Sequence, residues 1–295
     1  MIRILATIFA GLLGLAFGSF LNVCLSRWPE GESVVSPRSH CRNCDHTLAW
    51  WENVPLLSWL MLRGRCRKCG TRISWRYPFV EIALGALWAL FAWGSMPTVH
   101  DPGVPATDVV FALATGISQI ILSWILVALA VLDAEHLWLP NFLTLPGILL
   151  GFALTAAREQ FGYHFDTPPR PLRALLTSIL AAAAAALLIL LIRWLYHLIR
   201  HREGIGLGDA KLMALLAAWL GLPGALLAFG LGAILGSVVA LGLLAVPATR
   251  RGSEAGPEPW AASKLPFGTF LCIGGIVSAL WGQPIVAAYL RWAGL

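Results

Sequence analysis

The sequence contains repeated apolar segments of about the length that crosses a lipid bilayer, and this repetition limits what the chain can fold into. A membrane-spanning helix needs about 20 consecutive, mostly apolar residues. Such segments cover about 4–25, 79–96, 107–132, 142–157, 173–199, 210–222, 224–247 and 267–290. Only 12% of the 295 residues are charged, whereas soluble domains carry about 25%. The sequence therefore predicts an all-α polytopic membrane protein with about eight transmembrane helices.

The basic residues predict how these helices are oriented, because loops rich in Lys and Arg stay on the cytoplasmic side of the membrane. Residues 27–78 carry nine Lys and Arg residues against four acidic ones. Further basic residues lie near 193–211 and 250–264, on the same side of the predicted helices. Eight crossings then leave both termini outside the cytoplasm. The segment 210–222 is short for a complete crossing, so a tilted or re-entrant helix is an open alternative there.

The net charge of +6 arises largely from these loops beside apolar segments. This distribution is typical of a membrane protein in contact with lipid and does not indicate a nucleic-acid-binding surface.

Four of the six cysteines form two Cys-x-x-Cys pairs inside the polar segment 27–78. Cys41 and Cys44 form the first pair, and Cys66 and Cys69 form the second. Two such pairs are typical of tetrahedral Zn²⁺ sites, and a cytoplasmic location disfavours disulfide bonds. Four thiolates leave no open position for water, so the sequence predicts a structural zinc site in a small zinc-ribbon-like insertion after the first helix.

The nearby histidines and the two remaining cysteines are not predicted to bind the metal. The neighbouring His40 and His46 are predicted to be surface residues and not metal ligands. Cys24 and Cys272 lie in apolar segments and are predicted to be packing residues.

A glycine-rich turn with one carboxylate leads directly into an apolar segment at residues 203–214. Gly204, Gly206 and Gly208 let the backbone bend tightly and approach another segment closely. Asp209 follows at the predicted membrane boundary, where a carboxylate is a functional candidate because its insertion into the bilayer centre costs about 2.5–3.5 kcal/mol. Helix capping is the alternative role, since Asp is a favoured capping residue.

A second carboxylate, Asp133, ends the third apolar segment at the same predicted membrane face. Two aspartates on separate helices could form a dyad in which one is ionised and acts as general base while the other is protonated and acts as general acid. Metal binding by Asp133, Glu135 and His136 is an alternative, but their spacing does not place three ligands on one helix face. Lys211 is predicted to extend to the surface.

Short motifs in order along almost the whole chain resemble those of the type IV prepilin peptidases. They are Gly18-Ser-Phe-Leu-Asn22-Val, Arg27-Trp-Pro29, Ser36-Pro-Arg38-Ser-His-Cys41, Asn53-Val-Pro55-Leu-Leu-Ser58-Trp, Arg63-Gly-Arg65-Cys66, Ile73-Ser-Trp-Arg76-Tyr77-Pro78-Phe-Val-Glu81, Leu139-Pro140, Gly206-Leu-Gly208-Asp209 and Leu265-Pro266-Phe267-Gly268. No single motif is specific, but their order together with the cysteine pairs is. One departure is Asn141, where many members of the family carry a second acidic residue.

The resemblance implies a bifunctional enzyme of the bacterial inner membrane. Asp133 and Asp209 would be the catalytic pair of an aspartic endopeptidase whose active site faces the cytoplasm. Its substrates would be prepilins and pseudopilins, whose short basic leader precedes a hydrophobic helix. The resemblance also implies N-methylation of the new N-terminal residue with S-adenosyl-L-methionine as the donor. The sequence shows no nucleotide-binding motif, and we place the donor site, as a hypothesis, near Glu81 and Arg76.

These observations predict three parts of the chain and leave two other functions open. Residues 1–26 would form the first transmembrane helix, 27–78 a cytoplasmic four-cysteine zinc domain, and 79–295 a transmembrane aspartic peptidase domain. One alternative is a presenilin-like intramembrane aspartic protease, which also uses Gly-x-Gly-Asp. The other is a non-catalytic membrane scaffold whose zinc module docks a partner. The sequence favours no particular oligomeric state.

Overall fold

A computed structural model describes residues 2–95, 106–161, 169–201, 206–245 and 265–294, and all structural statements refer to these residues. They form eight α-helices: α1 Ile2–Arg27, α2 Leu57–Met61, α3 Arg76–Ser95, α4 Ala106–His136, α5 Asn141–Phe161, α6 Pro171–Arg200, α7 Leu207–Ala245 and α8 Phe267–Trp292. Short 3₁₀ helices cover Trp28–Glu30 and Trp50–Asn53. Seven of the described helices, all except α2, are long and apolar enough to cross a membrane. The predicted all-α polytopic fold is confirmed.

Most helices extend beyond the apolar segments from which they were predicted. The third predicted segment ended at residue 132, whereas α4 continues to His136 and includes Asp133. Similarly, α3 begins at Arg76, three residues before the predicted start. Apolar composition marks the part of a helix that lies in lipid, while backbone hydrogen bonds continue into the polar residues at its ends.

The helix α7 contains the two predicted segments 210–222 and 224–247, joined at a sharp break. Gly221 has a left-handed backbone conformation (φ 71°, ψ 173°), and Pro223 follows it. Before the break, α7 runs alongside α5. Lys211 contacts Asn141 at the start of α5, and the Trp219 indole donates a hydrogen bond to the Gly147 carbonyl further along.

After the break, the chain runs back along α8. The Ser278 hydroxyl donates to the Gly224 carbonyl at 2.8 Å, and a Cβ placed on Gly232 would lie 3.1 Å from the Leu271 Cα. The second half of α7 therefore runs antiparallel to α8. The break reverses the chain, so α7 consists of two antiparallel segments where its length alone indicates one crossing. The first segment, 207–221, rises about 22 Å, which is short of the hydrocarbon core of about 30 Å.

Side chains satisfy the carbonyl groups that the break removes from regular helical pairing. The hydroxyls of Thr155 and Ser178 both donate to the Ala218 carbonyl at 3.0 Å, and Arg158 Nη2 donates to the Trp219 carbonyl at 3.2 Å. Such groups would otherwise be unpaired in lipid, where each unsatisfied group costs several kcal/mol. The reversal at Gly221 is thus supported by α5 and α6.

The chain divides into two compact units, one of Met1–Ala128 with Gln160–Pro169 and the other of Leu129–Glu159 with Arg170–Leu295. In the first unit, α1 and α3 pack closely, since a Cβ added to Gly18 would lie 2.7 Å from the Glu81 Cα. The boundaries predicted from polar composition, 1–26, 27–78 and 79–295, stay a prediction. Glu203 and Gly204 of the glycine-rich turn and the basic segment 250–264 lie outside the described residues.

Candidate functional site

Asp133 lies in the last turn of α4, and its side chain is buried, with 6% of the residue exposed. The Leu137 N–H donates to the Asp133 carbonyl at 2.9 Å, and Leu137 has a left-handed backbone conformation that ends the helix. The chain then enters α5 at Asn141. A short turn between two long helices therefore fixes the position of this carboxylate.

The first turn of α8 holds the Asp133 carboxylate. Oδ2 accepts a hydrogen bond from the Thr269 backbone N–H at 2.6 Å and lies 3.1 Å from the Thr269 hydroxyl oxygen. Thr269 is the third residue of α8, so its N–H has no acceptor within its own helix. A Cβ added to Gly268 would lie 2.9 Å from Oδ2, which leaves room for glycine alone without rearrangement. The positive end of the α8 dipole also favours a negative charge here.

The Thr269 hydroxyl lies between two acceptors. Its oxygen is 3.1 Å from Asp133 Oδ2 and 3.0 Å from the Ala130 carbonyl oxygen. A hydroxyl has one proton and can also accept. It can therefore donate to an ionised carboxylate, or donate to Ala130 while accepting from a protonated one. The contact suits a carboxyl group that gains and loses a proton.

Asp209 lies in the first turn of α7 and is also buried, with 8% exposed. Its Oδ2 accepts a hydrogen bond from the Gly206 N–H at 3.0 Å, so the capping contact considered from the sequence is present. Capping alone does not require burial, which removes the carboxylate from water at a cost in free energy. The contact therefore fixes the orientation of a buried carboxylate at the start of the helix.

The two predicted aspartates meet within the second unit. Leu139 fills the space beside both, because its Cδ1 lies 3.0 Å from a Cβ placed on Gly208 and 3.1 Å from one placed on Gly268. The carboxylates of Asp133 and Asp209 are close enough for their charges to interact, and the buried Cys272 thiol lies near both. Helices α4, α7 and α8 thus converge at one site, and the glycines of two motifs permit their close approach.

The sequence did not point to Thr269, and it gave Leu139 no role at this site. Thr269 directly follows the motif that ends at Gly268, and Leu139 belongs to the Leu139-Pro140 motif. The motifs marked the position, but only the packing of α8 against α4 shows that Thr269 is the residue that contacts Asp133.

The residues considered as an alternative metal site do not gather around Asp133. Glu135 and His136 are both exposed, whereas Asp133 is buried. Their side chains approach each other, with His136 Nε2 at 3.9 Å from Glu135 Oε2. Lys211, which was predicted to extend to the surface, donates from its ammonium to the Asn141 side-chain oxygen at an exposed position.

In the first unit, the four predicted cysteines come together. Their sulfur atoms all lie within 4.8 Å of one another, with 3.8 Å between Cys41 and Cys69 and 3.9 Å between Cys44 and Cys66. A tetrahedral zinc–thiolate site with bonds of about 2.3 Å requires about 3.8 Å between sulfurs. Among the described residues, these four cysteines are the group of side chains that is close enough together to hold a metal ion. The cysteines could therefore hold a metal ion without rearrangement.

The two cysteine pairs have the same local structure. The Asp45 N–H donates to the Cys41 carbonyl and the Gly70 N–H donates to the Cys66 carbonyl, both at 2.9 Å. Asp45 and Gly70 are both in the left-handed backbone region. Hydrogen bonds with Thr71, and then with Asn43, lower the pKa of Cys69 to about 5, whereas desolvation and the other three cysteines raise the pKa of Cys44 to about 12.

His46 is not a simple surface residue as predicted. Its Nε2 lies 3.2 Å from the buried Glu52 carboxylate, which also accepts the Ala49 N–H at 2.7 Å. The Ala49 hydrogen bond, with His46 adding to it, lowers the pKa of Glu52 below its usual range. His40 is half-buried, and its Nδ1 lies 3.0 Å from the Arg38 carbonyl oxygen. Cys24 and Cys272 are buried, in agreement with their predicted packing role.

Comparison with known proteins gives two family matches that cover most of the chain. Residues 12–95 match the bacterial peptidase A24 N-terminal domain, and residues 120–241 match the type IV leader peptidase family. The first match contains the cysteine tetrad, and the second contains Asp133 and Asp209. No solved structure matches the chain.

Curated relatives are similar over nearly the full length. A prepilin leader peptidase/N-methyltransferase of Stutzerimonas stutzeri is 33% identical, over 96% of this chain and 93% of its own length. A protein of the same name from Burkholderia pseudomallei strain 1026b is 36% identical, over 94% of this chain and 85% of its own. Another, from Myxococcus xanthus, is 37% identical over 86% of this chain and 66% of its own.

Proposed function

The chain belongs to the type IV leader peptidase family, and on this premise we propose that it is a membrane aspartic endopeptidase of the bacterial inner membrane. It cleaves the short basic leader of type IV prepilins and pseudopilins at the cytoplasmic membrane face and then methylates the new N-terminal residue. Asp133 and Asp209 are the catalytic pair. The observation that carries this proposal is the convergence of two buried carboxylates at helix ends within one unit.

The pair can catalyse hydrolysis by sharing one proton. The ionised aspartate takes a proton from a water molecule, which attacks the carbonyl carbon of the scissile bond. The protonated aspartate polarises the carbonyl oxygen and later gives its proton to the leaving amine, so that each group changes its state once in the cycle. Asp133 accepts from two donors of Thr269, which favours Asp133 as the ionised member before attack.

The location of the pair suits a substrate that is already in the membrane. Asp133 lies at the end of a membrane-length helix, and Asp209 lies at the start of another. A prepilin helix can reach this depth by lateral diffusion, which brings the junction between leader and helix to the membrane surface. The basic loops predicted for this side support a cytoplasmic orientation.

Replacing either aspartate by the isosteric amide tests the catalytic pair. In liposomes with a leader-bearing prepilin, we expect Asp133→Asn and Asp209→Asn each to reduce kcat by about 10²–10⁴-fold, because each removes a proton-transfer step. The rate is measured from the appearance of the shortened pilin. With S-adenosylmethionine present, the mass of the new N-terminus reports methyl transfer in the same reaction.

Glu135→Gln is the matched control, since Glu135 is an exposed carboxylate two residues after Asp133. It should cleave at the native rate. Near-native cleavage by either aspartate variant would show that the catalytic carboxylates lie elsewhere. No cleavage by well-folded native protein would favour the scaffold function instead.

S-Adenosylmethionine supplies the methyl group, and we place its site beside Glu81 and Arg76 at the start of α3. Glu81 is buried in the first unit and accepts the Leu56 N–H at 2.8 Å. We expect Glu81→Gln with Arg76→Gln to weaken S-adenosylmethionine binding, measured by equilibrium dialysis, with Glu135→Gln as control. Unchanged affinity in the double variant would remove this location.

We assign the cysteine tetrad to one structural Zn²⁺ ion. The support is the sulfur spacing and the closed set of four thiolates, which leaves no position for a reacting water. The ion would connect the two similar knuckles and so organise the segment between α1 and α3. It takes no part in the hydrolytic step.

Metal analysis of purified protein tests this assignment. We expect about one zinc per native chain, and we expect Cys66→Ser to lose the metal and unfold at a lower temperature, because zinc binding contributes folding free energy. Cys24→Ser, at a buried cysteine outside the tetrad, should keep its zinc. Native protein without zinc, or full zinc content in Cys66→Ser, would refute the assignment.

A further inference from the structure

The short helix α2 exposes an apolar face within an otherwise polar segment. Leu57, Leu60 and Met61 are 58%, 63% and 71% exposed. They occupy positions i, i+3 and i+4, which lie on one face of a helix. The rest of residues 27–78 is rich in charged residues. An exposed apolar face in such a segment indicates a surface that contacts a membrane or another protein.

The attachment of α2 places it beside a membrane-length helix. The Leu56 N–H, just before α2, donates to the Glu81 carboxylate at 2.8 Å. Glu81 is the sixth residue of α3, which puts this contact roughly 7 Å along the α3 axis from Arg76 at about 1.5 Å per residue. Therefore α2 begins at the depth of the first turns of α3, and not further out in the cytoplasm.

One side of α3 exposes apolar residues that lead to α2. Trp75, Phe79 and Ile82 are all exposed and share one side of the helix, at i, i+4 and i+7. The Phe79 N–H donates to the Trp75 carbonyl, so Trp75 extends the helical turn. The Trp75 ring contacts Trp59 of α2, with 4.2 Å between centroids and a tilt of 51° between the rings. The exposed side of α3 thus ends where Trp75 contacts α2.

The charges around α2 fit an acidic surface. Residues 53–80 contain no Asp or Glu. Exposed basic residues follow α2 directly, at Arg63, Arg65, Arg67, Lys68 and Arg72. Apolar and aromatic side chains bordered by Lys and Arg are typical of helices that lie in the headgroup layer of anionic membranes.

We propose that α2 and Trp75 form an interfacial anchor that inserts into the headgroup layer of an acidic phospholipid bilayer. Leu57, Leu60 and Met61 point toward the acyl chains, and the arginines contact lipid phosphates. Only a few residues separate Met61 from Cys66, so the anchor holds the cysteine tetrad against the membrane surface. A protein partner would have to cover this exposed apolar face and would need acidic groups to match the arginines.

Photolabelling by lipid tests the anchor on the native full-length protein. The protein is reconstituted in liposomes that contain a phospholipid with a diazirine near the glycerol end of one acyl chain, and lipid adducts are mapped by mass spectrometry. We expect adducts on 57–61 and Trp75 as well as on Phe79 and Ile82. The yield on 57–61 should rise severalfold when phosphatidylglycerol replaces part of the phosphatidylcholine.

Variants separate the apolar and the charged contributions. Leu60→Gln with Met61→Gln should lose the adducts on 57–61, and Val35→Gln, at an exposed apolar residue elsewhere in the same segment, should not. Arg63→Gln with Arg65→Gln and Arg72→Gln should remove the dependence on phosphatidylglycerol. Retained zinc content shows that each variant is folded.

Three results would overturn the proposal. The first is native protein that is labelled on α3 but not on 57–61. The second is a benzophenone at position 60 that crosslinks to a second copy of the chain, which would make this face a protein interface. The third is labelling that does not change with phosphatidylglycerol, which would exclude recognition of acidic headgroups.

Discussion

The hydrogen bonds from Thr269 to Asp133 join the two helices on which the candidate site depends. A carboxylate in lipid is costly unless donors replace the water that it loses. Here the donors come from the first turn of α8, whose N–H groups also need acceptors. One contact thus satisfies both needs and fixes α8 against the end of α4. Gly268 permits it, since any side chain there would meet the carboxylate. Asp209 repeats the arrangement on a smaller scale, because it accepts the Gly206 N–H at the start of its own helix.

The same requirement for paired backbone groups explains how α7 can reverse inside the membrane-length part of the chain. The break at Gly221 leaves carbonyl groups without helical partners, and side chains of α5 and α6 provide the missing donors. The reversal brings the second half of α7 along α8 toward the end that carries Thr269. Asp209 lies at one end of α7, and the other half of α7 packs against α8. Both parts therefore belong to one folded unit.

Much of the fold and of the site could be predicted, because it depends on patterns of residues that are close together in the sequence. Apolar length predicts the spans, paired cysteines predict the tetrad, and isolated carboxylates beside apolar segments predict Asp133 and Asp209. The roles of Thr269 and Leu139 could not be predicted, since they arise from contacts between segments far apart in sequence. His46 looked like a surface residue because its partner Glu52 becomes buried only when the insertion folds. The face of α2 was missed for another reason: five residues are too few to show helical periodicity within a polar segment.

Thr269 holds Asp133 in position for proton transfer in the proposed mechanism, and steady-state kinetics of Thr269→Val and Thr269→Ser test this role most directly. Both variants keep the backbone N–H, and only serine keeps the hydroxyl. With a leader-bearing prepilin in liposomes, we expect valine to lower kcat by roughly 10–100-fold, as for a lost hydrogen bond to a charged group, with little change in KM. Serine should retain most of the native kcat. A native kcat in Thr269→Val, or an equal loss in both variants, would contradict this role of the Thr269 hydroxyl.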